Sequence, residues 1–229
     1  MTGMVHFTPA LFDFLEDLAA NNERDWFQAN KQRYRTDVQD PLLRFVNDFE
    51  DRLASISPHM VADARRSGGS VFRIYRDVRF SKDKTPYKTN AGVHFRHEMG
   101  RDVHGPGLYL HLEPGVVFAG AGIWKPNATT AGKIREAIVE DPDGWRRIVD
   151  EPGFASTFTL EGESLKRAPR GFDPGHPLID YLKLKSFVAT TGLTEEEVCA
   201  PDFIDLYTDT CGVAAPFTGF LTAAVGLAW

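Results

Sequence analysis

Between Arg73 and Lys88 the chain sets six cations (Arg73, Arg76, Arg79, Lys82, Lys84 and Lys88) against two acids, Asp77 and Asp83. Arginine offers a planar fork that matches carboxylate or phosphate, and lysine adds a mobile point charge. In VFRIYRDVRF, Arg73, Tyr75, Asp77 and Arg79 alternate along one face of an expected strand; Phe72, Ile74, Val78 and Phe80 share the other, interrupted by Arg76. Lys82, Lys84 and Lys88 follow on an expected loop with Ser81, Thr85 and Tyr87 as neutral donors, partly shaped by Pro86. The chemistry this pattern fits is capture of a phosphorylated or carboxylated small ligand, with Arg73, Arg76, Arg79, Lys82, Lys84, Tyr87 and Lys88 as the binding set. The same residues also fit a structural network, in which the arginines pair with Asp77 and acids of neighbouring strands and the lysines solvate a loop.

A second constellation is GLYLHLEPG, residues 107 to 115, where Leu108, Leu110 and Leu112 face one way and Tyr109, His111 and Glu113 the other. If this strand lies near the arginines, His111 and Glu113 form a candidate acid/base pair, with Asp77 as a third proton-moving candidate. His94 could join His111 and Glu113 as a ligand set for a metal, but a solvent-facing strand side with Glu113 paired to an arginine explains the pattern better, and no metal is assigned. His94 and His97 cannot share one face of a regular strand, and His104 reads as an incidental loop residue. GAGIWKP, residues 120 to 126, is no phosphate loop, and no GxGxxG, GxSxG or HExxH occurs. Nothing names a cofactor.

Elements must position these groups. Thr8-Pro9 caps a helix in which Leu11, Phe14, Leu15 and Leu18 recur. Asp25 with Gln28 opens a second, through about Asp37, and Asp40-Pro41 a third carrying Leu42, Phe45, Val46, Phe49 and Leu53. After RRSGGS the period changes, and AGVHFRH, GLYLHLE and GVVFAGAGIW follow VFRIYRDVRF as three further strands, short connections favouring antiparallel neighbours. Helical spacing returns around Ile134 and again around Trp145. Residues 151 to 177 read as loop with one short strand, FTLEG; a short helix around Tyr181 and an edge strand, SFVAT, come next. Thr194 with Glu197 is a capping box, and helices over Phe203 to Tyr207 and Phe217 to Val225 close the chain. The expectation is one α+β domain over residues 1–229, a mainly antiparallel central sheet with N- and C-terminal helices packed around it.

Composition narrows the classes. With 229 residues, 42% hydrophobic, 25% charged and 17 Phe, the chain supports a large core. Its formal charge of -6 argues against a general nucleic-acid binder, though not against a local basic patch. MTGMVHFTPALFDF lacks the basic and apolar regions of a signal peptide, and no apolar run reaches the roughly 20 residues of a membrane span. Cys199 and Cys211 form no zinc motif or disulfide framework, so the expected setting is reduced and cytoplasmic.

NNERDWF with Asn30, Lys31 and Tyr34, then RIYRDVRFSKDKTPYKT, GLYLHLEPG, GAGIWKP and LKLKSF, resembles the domain of unknown function 2461 family of bacteria and fungi. The resemblance runs from about Phe7 to the last helix. It implies a single full-length domain and a soluble intracellular protein; it implies no activity and no catalytic residues. The expected partner is an anionic small molecule, with or without catalysis. The alternatives are a nucleic-acid or protein interaction module using the same basic loop, or a scaffold whose arginines brace strands. Substrate, oligomeric state and metal requirement lie beyond the sequence.

Overall fold

The computed structural model describes residues 4–100 and 105–229, so His104 lies outside the described residues. Thr8 stands extended ahead of Pro9, and α1 (Pro9–Ala20) buries Leu11, Phe14, Leu15 and Leu18. The expected second helix is instead three short pieces: α2 (Arg24–Ala29), α3 (Lys31–Tyr34) and one π-helical turn, Arg35–Gln39. Asn30 interrupts it by turning its side-chain amide back onto the Trp26 carbonyl. The helices α4 (Asp40–Asp48) and α5 (Glu50–Ile56) complete the N-terminal group.

Among the described residues six strands form one antiparallel sheet in the order β1-β2-β3-β4-β6-β5. They are β1 (Met60–Val61), β2 (Ala91–His97), β3 (Gly107–Glu113), β4 (Val116–Ile123), β5 (Thr159–Glu161) and β6 (Phe187–Leu193). Between β4 and β5 run α6 (Ala128–Glu140), α7 (Pro142–Val149) and α8 (Pro152–Thr157); α9 (Ile179–Leu182) precedes β6, and α10 (Glu195–Cys199) follows it. Thr194 and Glu197 form the expected capping box of α10. The fold is α+β.

Further expectations change. SFVAT belongs to β6, which pairs with both β4 and β5 and is therefore interior, because β5 adds outside it. The two closing helices are one, α11 (Phe203–Ala224). Its apolar stripe of Phe203, Tyr207, Cys211, Ala214, Phe217 and Leu221 is continuous and almost wholly buried, which carries the helix through Pro216 despite the lost backbone bond. Each large side chain in that stripe contributes about 1.5–3 kcal/mol by burial. Neither α8 nor β1 was visible in the sequence, both being shorter than a clear period.

VFRIYRDVRF is not a regular strand. Ser70 and Phe72 bond to the β2 edge, with Phe72 N–H donating to the Gly92 carbonyl and His94 N–H to the Ser70 carbonyl. Beyond that the segment pairs with its own return: Arg76 N–H donates to the Pro86 carbonyl, and Lys88 N–H to the Ile74 carbonyl. Phe80, expected on a buried face, is 96% exposed. The chain has left the sheet by then, and no apolar surface meets it.

The sheet has two unlike faces. Val93, Phe95, Leu108, Leu110, Leu112, Ala119, Ala121 and Ala189 are buried, with α11 against β3 and β4 and α1 against β3. On the opposite face the register lines up His94, Tyr109, Gly120 and Thr190 across four strands, flanked by Gly92–His111–Phe118–Gly192 and by Arg96–Gly107–Gly122–Val188. That face is rich in glycine, so it is hollow.

Candidate functional site

The hollow is a cavity of about 700 Å³, within the range that takes a small organic ligand. Gly120 forms its floor, Tyr109, His111 and Phe118 one wall, and Trp124 with Val188 and Thr190 another; Phe72, Arg73 and Lys88 come from the irregular hairpin. Close approach explains the glycine on β3. A Cβ on Gly107 would lie 2.4 Å from the Phe95 carbonyl oxygen and 2.6 Å from His94 Nε2.

The cations divide sharply. Arg79 makes two hydrogen bonds to the Asp77 carboxylate, at 2.9 and 2.7 Å, and both side chains are exposed. Those bonds hold the Asp77 carboxyl down at about 2. Arg76 is clamped to Asp83 and to the Thr85 hydroxyl, and Lys84 Nζ donates to the Val78 carbonyl at 2.9 Å. Lys82 is exposed on the loop, away from the cavity. Tyr87 is buried, stacked on Phe27 with ring centroids 4.1 Å apart. Asp77, Arg76, Arg79, Lys82, Lys84 and Tyr87 thus do not line this cavity.

Arg73 and Lys88 do. Neither makes a side-chain hydrogen bond or ion pair with a described residue. Lys88 Nζ rests 5.2 Å from the Phe72 ring centroid. Burial lowers the Lys88 pKa, and the charge of Arg73 lowers it further. Two cations therefore act on each other in one cavity, one of them half-buried and neither ion-paired, with Asp77 acting on Arg73 from outside the cavity lining.

Beside them runs a hydrogen-bonded chain. Tyr109 Oη lies 3.0 Å from His111 Nδ1, and His111 Nε2 lies 3.0 Å from Glu113 Oε2. Thr89 Oγ1 donates to the other Glu113 oxygen at 3.3 Å. The period-two spacing of β3 brings the three onto one face, and Phe118 stacks on His111 with centroids 4.6 Å apart. Burial, helped by the Glu113 charge, pushes the Tyr109 phenol up to about 12. His94, opposite Tyr109 on β2, is pulled down to about 4 by burial and then by Arg96; its Nδ1 is buried without a partner.

His111 and Glu113 are thus hydrogen-bonded to each other, and Arg73, Lys88 and His111 share one cavity. Tyr109, Phe72 and Phe118 were not singled out from sequence as binding residues. The signal for Tyr109 was there, in its i−2 spacing from His111. Among the described residues no three His, Cys, Asp or Glu side chains gather as a metal site, and no helix is long and apolar enough to cross a membrane.

Fold and cavity define an α+β protein with an open antiparallel sheet, helices on one face and an aromatic, cation-edged hollow on the other. The chain belongs to the family described as conserved hypothetical protein (DUF2461), whose model matches residues 10–220. No curated protein and no solved structure matches it.

Proposed function

We propose that the cavity binds a small ligand with an apolar or planar body and one anionic group, carboxylate or phosphate, and that the chain does so as one domain. The observation that carries this reading is the pair Arg73 and Lys88, neither of them ion-paired to a described carboxylate, whose mutual repulsion an anion would offset; Asp77 lies near enough to act on Arg73 but is hydrogen-bonded to Arg79. The body of the ligand would lie on Gly120 between Phe118, Tyr109 and Trp124. His111, oriented by Glu113, is the group able to move a proton there, which is the enzymatic form of the reading. The nucleic-acid alternative has less support, because Arg76, Arg79 and Lys84 already bond within their own loop.

The test is calorimetric titration with phenyl phosphate and 3-phenylpropionate, and with 3-phenylpropanol as the neutral control. Binding of an anion but not of the alcohol is expected, weakened roughly tenfold or more in Arg73→Gln and in Lys88→Met. Equal binding by the alcohol, or anion binding indifferent to both substitutions, overturns the reading.

A further inference from the structure

The chain Tyr109–His111–Glu113 has a direction, and the direction specifies what the ligand must bring. A carboxylate only accepts, so the Glu113 oxygen at 3.0 Å places the imidazole proton on Nε2 of His111. In a neutral imidazole Nδ1 is then a bare lone pair. The only proton left for the 3.0 Å contact between Nδ1 and Tyr109 Oη is the phenolic one. Tyr109 therefore spends its hydrogen on His111, and what its oxygen has left is lone pairs. Burial keeps the phenol protonated at ordinary pH, so the donor in this contact persists.

His94 makes no hydrogen bond to Tyr109 Oη, the two ring centroids standing 6.4 Å apart. Its Nδ1 is buried and unpartnered, and with burial holding the ring neutral it carries a single N–H. Around Tyr109 the cavity is otherwise built of Phe72, Phe118 and the Gly120 backbone. An acceptor in such surroundings is costly to leave unmatched once a ligand displaces water.

We propose that the ligand is a hydroxy acid: an anionic group held by Arg73 and Lys88, an apolar body, and between them a hydroxyl or enol O–H that donates to Tyr109 Oη. This rests on the reading of the cavity as an anion site and names the class of anion. Tyr109 is in this scheme the specificity-determining residue, and His111 and Glu113 are positioning residues that fix the sense of its hydrogen bond.

Two ligands of equal charge and the same carbon skeleton separate the ideas: 3-phenyllactate, which carries the hydroxyl, and 3-phenylpropionate, which does not. They are titrated into the full chain near pH 8, at concentrations up to about 10 mM. Phenyllactate is expected to bind about tenfold more tightly. In Tyr109→Phe the two should converge while phenylpropionate affinity is unchanged, and in Glu113→Gln, where an amide can donate to His111 and reverse the chain, the preference should shrink. Equal affinities in the wild-type protein overturn the hydroxy-acid inference and leave the anion site standing. Failure of both ligands to bind removes the anion site as well. A preference that survives in Tyr109→Phe assigns the hydroxyl to another residue and also overturns the inference.

Discussion

The Lys88 ammonium lies over the Phe72 ring, 5.2 Å from its centroid, with Arg73 as its charged neighbour and no described carboxylate paired to it. A half-buried cation so placed destabilises the empty protein, and its lowered pKa expresses that cost. The unfolded chain binds the Lys88 proton more tightly than the folded one. The cost is therefore present at every pH below the folded pKa and is relieved as pH rises through 10.5, the ordinary lysine value.

Lys88→Met should accordingly raise the melting temperature of the ligand-free protein at neutral pH, by up to about 2 °C given partial solvent screening, while weakening anion binding. The gain over wild type should shrink above pH 10.5. Differential scanning calorimetry across pH checks this. A lower melting temperature at pH 7 would mean that Lys88 braces the hairpin instead of waiting for a ligand.

His94 makes the opposite wager on pH. Its ring must be neutral to stay buried, with a pKa near 4 against 6.5 for a free histidine. Because the unfolded state takes up the proton first, the stability tied to this residue is whole above pH 6.5 and is lost as pH falls toward 4. A shift of this size corresponds to on the order of 3 kcal/mol. Comparing denaturant unfolding of the wild-type protein and His94→Leu between pH 7 and 4 isolates the effect from the carboxylates, which titrate in both. The wild-type protein should lose stability relative to His94→Leu as pH falls toward 4; parallel curves would show that His94 is not held neutral by the fold.

Much of this architecture was legible because it depends on local periodicity. Leu108, Leu110 and Leu112 set the buried face of β3, and Tyr109, His111 and Glu113 had to share the other. The capping box at Thr194 and Glu197 needs only four residues and was visible as such. What escaped depends on partners far along the chain. Which cations face the cavity is decided by where the hairpin leaves β2, and Arg73 and Arg79 look equivalent until Asp77 is seen to hydrogen-bond Arg79 and not Arg73. The strand expected there failed for the same reason, since period two says nothing of whether a neighbour exists. The merging of the last two helices at Pro216 turned on burial along α11, which local propensity does not encode.

The glycines supply a final separation between fold and site. Gly120 and Gly107 both sit on the hollow face, but an added Cβ meets different surroundings. At Gly120 nothing comes nearer than 3.8 Å, so an added Cβ makes only ordinary van der Waals contact with the framework on the cavity side. At Gly107 the Phe95 carbonyl oxygen, 2.4 Å away, is backbone and cannot yield without parting β2 from β3. Gly107→Ala should therefore cost about 2 kcal/mol or more in chemical denaturation. Gly120→Leu should fold with a melting temperature equal to wild type or higher, since leucine loses less backbone entropy in a strand than glycine does. It should nonetheless abolish titration by phenyl phosphate and 3-phenylpropionate, because the isobutyl group occupies the space where their rings would lie. If Gly120→Leu binds these anions as the wild-type protein does, the ligand site is not on this face of the sheet, and the unpaired charges of Arg73 and Lys88 must then answer to something outside the cavity.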